Sequence, residues 1–297
     1  MTAPDASAAD GAIYDLGYKH YEGRRLGRGN AVWTLFTYSL AAAYGIGRGQ
    51  RAKFIPFAIL ALCFLPAVAR VGVGMMMGRT ELINFAEHLE FTAFFLALFA
   101  ASQAPELVVS DRQYGTLALY LSRPLRATDY MLAKFAALVA AMLVITLGPQ
   151  LFMFGGRAVI AEELFPALRS DSGLLLPIVG GTLGASALLA SLGLALSSFA
   201  SRRNYANAAV IGFFLLSSAA VAIFHRIAEG DLKRYLVLAH PVWVMDGYVK
   251  WLFDLEARQR SPVGRADLPG EYYLYAILVA SAIAMATLYL RYRSRDA

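Results

Sequence analysis

The chain has 297 residues, 58% of them hydrophobic and 16% charged, with a mean hydropathy of +0.52. A soluble domain carries about a quarter charged residues, so this composition excludes a purely soluble globular protein and a disordered chain. The single cysteine, Cys63, excludes a disulfide framework and any cysteine-based zinc or iron–sulfur site; the formal charge of +6 suggests nucleic acid only if the basic residues cluster.

Met1 to Asp10 are small and polar, without a basic start or a short apolar core. No secretory signal peptide is expected, and the amino terminus is expected in the cytoplasm. Residues 1–53 read as a cytoplasmic lead-in holding Tyr14, Tyr18 and Tyr21. Inside it, Ala31–Tyr44 places Val32, Trp33, Leu35, Phe36 and Leu40 within about four turns. It stops at Gly45-Ile46-Gly47-Arg48-Gly49. This stretch is too short to span a bilayer and predicts an amphipathic helix in the inner interface, with Trp33 and Tyr38 at headgroup depth.

Residues 54–297 read as a single transmembrane domain. Six runs reach the roughly 20 residues a span requires: Phe54–Val73, Asn84–Ala104, Met131–Met153, Leu174–Phe199, Ala206–His225 and Tyr272–Leu290. They are continuously apolar rather than alternating, which argues against membrane strands. The fold class is therefore all-α membrane protein, with six transmembrane helices and both termini cytoplasmic.

The placement of charge supports that orientation. Seven Lys and Arg lie in residues 1–53; the others on that side are Arg112, Arg123, Arg126, Arg202, Arg203, Arg291, Arg293 and Arg295. The two short loops on the opposite side carry only Arg70, Arg79, Arg157 and Arg169. Fifteen against four is a positive-inside pattern. The basic charge is thus explained by topology, and no nucleic-acid partner is expected, since no basic stripe with interleaved aromatics stands out.

The segment 105–130 reads as a cytoplasmic loop mixing charges with Leu117, Leu119 and Leu121. Pro124 should break any helix there, Thr128 should cap the third span, and Lys134 should snorkel to the inner headgroups. The long external loop, 226–271, holds an aromatic-rich stretch from Leu236 to Phe253. Pro241 marks a helix start, and the helix should dip into the outer leaflet. Ala257–Gly270 reads as loop.

Few motifs carry chemistry. No P-loop occurs, so ATP hydrolysis by that motif is not expected on this chain, and the chain is not read as an enzyme. Gly184-Ala185-Ser186-Ala187 resembles the serine signature of rhomboid intramembrane proteases, but neither His225 nor His240 has the matching glycine-rich context. Gly180 and Gly184 form a Gly-xxx-Gly pair, and close helix packing is the simpler reading. Glu162-Glu163 is similar to the paired glutamates of membrane prenyl-protein proteases, yet Ala167 stands where that family has arginine. Glu87, His88 and Glu90 form the acidic and histidine cluster nearest a membrane interior. Intramembrane ionisable groups suggest function, so Glu87 and Glu90 are candidates for a substrate path meeting a cation; the competing view places them, solvated, at the outer headgroups. The three do not make a convincing metal site.

The segment 105–134 carries Ser110, Asp111, Arg112, Gly115, Thr116, Leu117, Leu121, Ser122, Pro124, Tyr130 and Lys134. In this order and spacing it resembles the first cytoplasmic loop of type-2 ABC transporter permeases. The family usually has Glu where Asp111 stands, and Arg126 takes the place of the arginine that commonly precedes the tyrosine. The layout of interfacial helix, six spans and external helices is similar over nearly the full length. The resemblance implies the permease subunit of an ATP-driven exporter in a plasma (inner) membrane, moving a substrate by alternating access. It implies a separate ABC ATPase as partner and a second permease copy or related permease beside it. It implies no cofactor on this chain, with ATP and magnesium on the ATPase. It also implies ATPase-coupling contacts at Asp111, Arg112, Gln113, Tyr114, Gly115 and Thr116. Two other readings stay open: an intramembrane serine protease using Ser186, and an ion-coupled secondary transporter.

Overall fold

Each apolar run becomes a helix because a backbone surrounded by hydrocarbon must satisfy its own hydrogen bonds. The computed structural model of the protein describes residues 26–116, 120, 125–161, 164–227, 231–259 and 261–293. It is 87% helix, with no strand among the described residues. The longer helices are α1 (Arg28–Ala43), α2 (Gln50–Met77), α3 (Phe85–Gln113), α4 (Ala127–Ile160), α5 (Leu175–Phe199), α6 (Arg203–Ile227), α7 (Pro241–Leu252) and α8 (Glu271–Arg293). Six of them, α2 to α6 and α8, are long and apolar enough to cross a membrane. The 34 residues of α4 extend about 50 Å, well beyond the ~30 Å hydrocarbon core.

The α3–α4 and α5–α6 turns and Arg293 share one end of the bundle, called here the basic end. The α2–α3 and α4–α5 connections and the segment around α7 share the far end. α3 is central: 72% of its span is buried, against 11% for α6. It packs on α4, α5 and α6, while α1 and α2 lie against α4, and α8 against α5 and α7. Phe99, Leu107, Leu138, Met142 and Leu189 are buried where α3, α4 and α5 meet. The expected interfacial helix is present as α1, with Trp33 and Tyr38 largely exposed.

Two expectations need correction at the basic end. The loop is shorter than 105–130, because α3 runs through Pro105 to Gln113. Membrane helices tolerate proline when neighbouring helices cover the disturbed turn, and Ala104, Leu107, Val108 and Val109 are all buried. Thr128 is not the cap of α4. Arg126 holds that position, and its amide donates to Asp129 Oδ2 at 3.0 Å. At the far end α7 begins at Pro241 as expected, but Pro262–Ala266 interrupts the expected loop with a short helix, capped where Gly264 N donates to Ser261 Oγ at 3.0 Å. The expectations for Leu117, Leu119, Leu121, Pro124, Glu162 and Glu163 fall outside the described residues.

Candidate functional site

The continuation of α3 brings Asp111 level with the first turns of α4. Its Oδ2 lies 2.7 Å from Lys134 Nζ and accepts from the Tyr130 hydroxyl at 2.9 Å. Lys134 therefore does not snorkel to headgroups: its side chain is 2% exposed and its charge is met inside the protein. The Tyr130 ring lies against Tyr292 of α8 and Tyr120, closing the pair off from solvent. Thr116 turns its hydroxyl back to the Asp111 carbonyl at 3.0 Å.

The neighbouring candidates reach across the bundle. Arg112 Nη1 donates to Ser198 O at 2.9 Å and Nη2 donates to Ala200 O; Gln113 Nε2 donates to Ser201 O at 3.3 Å. Arg291 of α8 also donates to Ser198 O. Two guanidiniums thus serve the otherwise unpaired carbonyls ending α5, where the helix dipole favours cations. Tyr114 is 81% exposed. Gly115 has φ of +69°, and apart from its chain neighbours no described residue comes within 4 Å of where its β-carbon would stand. The six coupling candidates therefore divide: Asp111, Arg112, Gln113 and Thr116 hold the turn in place, and Tyr114 and Gly115 present it outward.

Sequence reading passed over Glu106, one turn before Asp111. Its two carboxylate oxygens meet Arg48, from the α1–α2 connection, and Arg203, which opens α6. The only sequence signal is an acidic residue between apolar neighbours, and it becomes readable once α3 is known to continue. A bidentate pair, Arg28 to Asp129 at 2.8 and 2.7 Å, ties α1 to the start of α4.

At the far end, Glu87 and Glu90 part company. Asn84 caps α3, accepting from Glu87 N at 3.0 Å. Glu87 is exposed and pairs with Arg70 of α2 at 3.1 Å. His88 is buried, its Nε2 3.0 Å from Cys63 O. Glu90 faces α7 instead, where Lys250 Nζ lies 3.2 Å from its Oε1 and 2.6 and 2.7 Å from the two Asp246 oxygens. Burial pushes the Asp246 carboxyl up to about 6, with Lys250 opposing the rise and the facing Glu90 adding to it. Glu90, Asp246, Lys250 and Arg258 line a cavity of about 290 Å³ together with Thr92, Thr146 and Ser261, and its apolar wall includes Ala93, Leu96, Ala185, Trp243 and Met245. Glu87 does not line it.

α7 is held there by its own cap and by a small-residue stripe. His240 Nδ1 accepts from Val242 N at 3.1 Å, and the ring stacks on Trp243 with centroids 4.7 Å apart. Burial holds this imidazole below the ordinary histidine value. Tyr248 lies over Gly184, where an added β-carbon would come within 2.6 Å of the ring, and its hydroxyl donates to Gly180 O at 3.3 Å. Gly184→Val is accordingly expected to cost about 1–3 kcal/mol by overpacking, read as a lowered unfolding temperature. Ser186→Ala, two residues on, is expected to change stability by less than about 1 kcal/mol, since the buried Ser186 hydroxyl has no hydrogen-bond partner among the described residues.

The chain is 28% identical over 222 residues to "Probable ABC transporter permease protein NosY" of Pseudomonas aeruginosa, covering 69% of this chain and 75% of that protein. A family model described as ABC-2 family transporter protein matches residues 2–296. That match takes in the interfacial helix, all six spans, the α3–α4 turn and α7, and the chain belongs to the ABC-2 family of transporter proteins.

Proposed function

We propose that this permease subunit works in an ATP-driven exporter of the plasma membrane, with both termini cytoplasmic. Its basic end docks on a separate ABC ATPase that carries ATP and magnesium, and a second permease copy or related permease completes the assembly. The observation that carries the reading is the exposed Tyr114–Gly115 turn, braced from beneath by Asp111–Lys134 and from the side by Arg112. A rigidly anchored protrusion transmits displacement instead of absorbing it. Closure of the ATPase at this turn would push α3 and α4 together and bias inward-open against outward-open arrangements. The fifteen-to-four charge bias supports the orientation, and the missing P-loop agrees with an ATPase on another chain.

The test is a mild-detergent pull-down of the tagged chain from its native membrane. A stoichiometric P-loop ATPase is expected. Gly115→Trp should abolish its recovery, since a left-handed backbone costs a non-glycine residue about 1–2 kcal/mol and the bulk blocks the turn. Tyr114→Ala, which introduces no strain, should weaken recovery as well. Asp111 and Arg112 are poorer probes because both hold the turn in place. Recovery of the chain alone would refute the reading and return weight to a Ser186 protease or an ion-coupled transporter.

A further inference from the structure

The carboxylates of the basic end are few and all engaged. Those among the described residues are Glu106, Asp111 and Asp129, and each already holds a cation. Glu106 holds two, and it gathers charge from separate parts of the chain. Arg48 arrives from the α1–α2 connection and Arg203 from the start of α6. Arg51 and Lys53 follow Arg48 at the start of α2, and Arg202 precedes Arg203. Five cations therefore share the neighbourhood of one carboxylate. The flanking sequence supplies no other, since no Asp or Glu lies between Glu22 and Glu81 or between Asp171 and Glu229. Arg51, Lys53 and Arg202 have no ion-pair partner among the described residues. The backbone that carries them is fixed before any anion arrives. Gly45 turns the chain at φ +67°, where a β-carbon would come within 2.6 Å of Ala52 O, and Arg48 also donates to Ala42 O at 2.7 Å.

The depth of the cluster points to the bilayer surface. Phe54 directly follows Lys53, Tyr205 comes two residues after Arg203, and both rings are exposed. Each helix thus passes from cation to exposed aromatic at the start of a span, the pattern of a water–hydrocarbon boundary. The Tyr114–Gly115 turn stands eight residues further along α3, about 12 Å beyond Glu106, so the cluster is not part of it. Toward the far end, the face of α3 that carries Glu106 is apolar and open, with Leu98, Phe94 and Phe91 exposed at helical spacing. α2 and α6 both pack on α3 and touch each other marginally at most. Leu98 and Phe94 lie about 12 and 18 Å from Glu106 along the helix, within reach of an acyl chain crossing half of a ~30 Å core.

We propose that this surface binds one anionic phospholipid of the leaflet bordering the basic end, its phosphate held by Arg51, Lys53 and Arg202 and its acyl chains laid along Leu98 and Phe94. Arginine offers a phosphate paired N–H donors, and lysine offers a point charge. A zwitterionic headgroup brings its own ammonium, which the clustered cations repel. An acidic protein surface would meet the charge and strand the apolar stripe, whereas a phospholipid satisfies both. The site goes beyond the exporter reading and does not depend on the ATPase.

The test is native mass spectrometry of the full chain, delipidated in detergent and titrated with phosphatidylglycerol, phosphatidylcholine or glycerol phosphate. Phosphatidylglycerol is expected to bind more tightly than phosphatidylcholine by about tenfold or more, ~1.4 kcal/mol. Each cation near an anionic headgroup is worth about fivefold in affinity, so Arg51→Gln, Lys53→Gln and Arg202→Gln combined should abolish the preference. Arg293→Gln removes an exposed cation of the same end from α8, which packs on α4, α5 and α7 instead, and should leave the preference unchanged. Equal binding of the two lipids, an equal loss in Arg293→Gln, or a preference that survives the combined variant would overturn the site. So would equal binding of glycerol phosphate, which has no chains for the stripe. Lipid confined to monomers would give the stripe to a second copy and overturn it too. Should the combined variant not fold, Arg51→Gln alone, at an exposed position, should cost about fivefold and gives the decision.

Discussion

Lys134→Met is expected to destabilise the protein by about 3–5 kcal/mol, the usual cost of removing one partner from a buried ion pair. The lysine side chain is 2% exposed and that of Asp111 is 12% exposed. Deleting the ammonium leaves a carboxylate facing only neutral donors among the described residues, the Tyr130 hydroxyl at 2.9 Å and the Thr116 hydroxyl at 3.5 Å. Adding Asp111→Asn should recover most of the loss, since an amide oxygen still accepts from Tyr130 and no charge is left buried. The measurement is thermal unfolding in detergent of the two single variants and the double variant. A coupling energy above ~1 kcal/mol between the sites is expected, well outside the scatter of independent positions. Additive single effects would show that the pair does not hold the end of α3 in place. The same variants connect stability to function, because α3 ends at the Tyr114–Gly115 turn. Lys134→Met should lose ATPase recovery and the double variant should regain it.

The spans were readable because length and continuous hydrophobicity are local properties of the chain. The interfacial helix and the start of α7 at Pro241 were readable for the same reason: each is marked by residues next to it in sequence. What failed depended on distant parts of the chain. Pro105 in a charged segment looks like a helix end, yet α3 passes through it because Leu107, Val108 and Val109 are buried against other helices. Once α3 was ended too early, Asp111 became a loop residue and Lys134 a lone cation seeking headgroups. Their 2.7 Å contact needs both helix ends at one height. Glu87, His88 and Glu90 stand out in the sequence as ionisable groups at the end of an apolar run. That Glu87 turns to Arg70 and Glu90 to Lys250 could not be read, since Lys250 lies in a segment whose position along the membrane normal is set by its packing on Gly180, Gly184 and α8.

Glu106→Ala is expected to have the second-largest effect, and the more informative one for mechanism. One carboxylate, its side chain 10% exposed, receives Arg48 from the α1–α2 connection and Arg203 from the start of α6. Removing it sets two guanidiniums near each other with no acceptor between them. The arginine side chains are 29% and 43% exposed, so water compensates in part, and the loss should be about 2–3 kcal/mol, below the range for fully buried pairs. Arg203→Ala alone should cost less than about 1 kcal/mol, because Arg48 stays paired and the deleted group is the more exposed. The functional consequence differs from that of Lys134→Met. Glu106 does not touch the turn proposed to meet the ATPase; it joins α3 to the interfacial helix and α6. ATPase recovery in a pull-down should therefore persist in Glu106→Ala. Stimulation of the ATPase by the permease, measured in nanodiscs against the ATPase alone, should fall sharply. If stimulation survives, α3 moves without α1 and α6, and force from the turn passes through α4 alone. If recovery is lost instead, the clasp shapes the docking surface itself, and the division between a holding layer and a presenting turn is wrong.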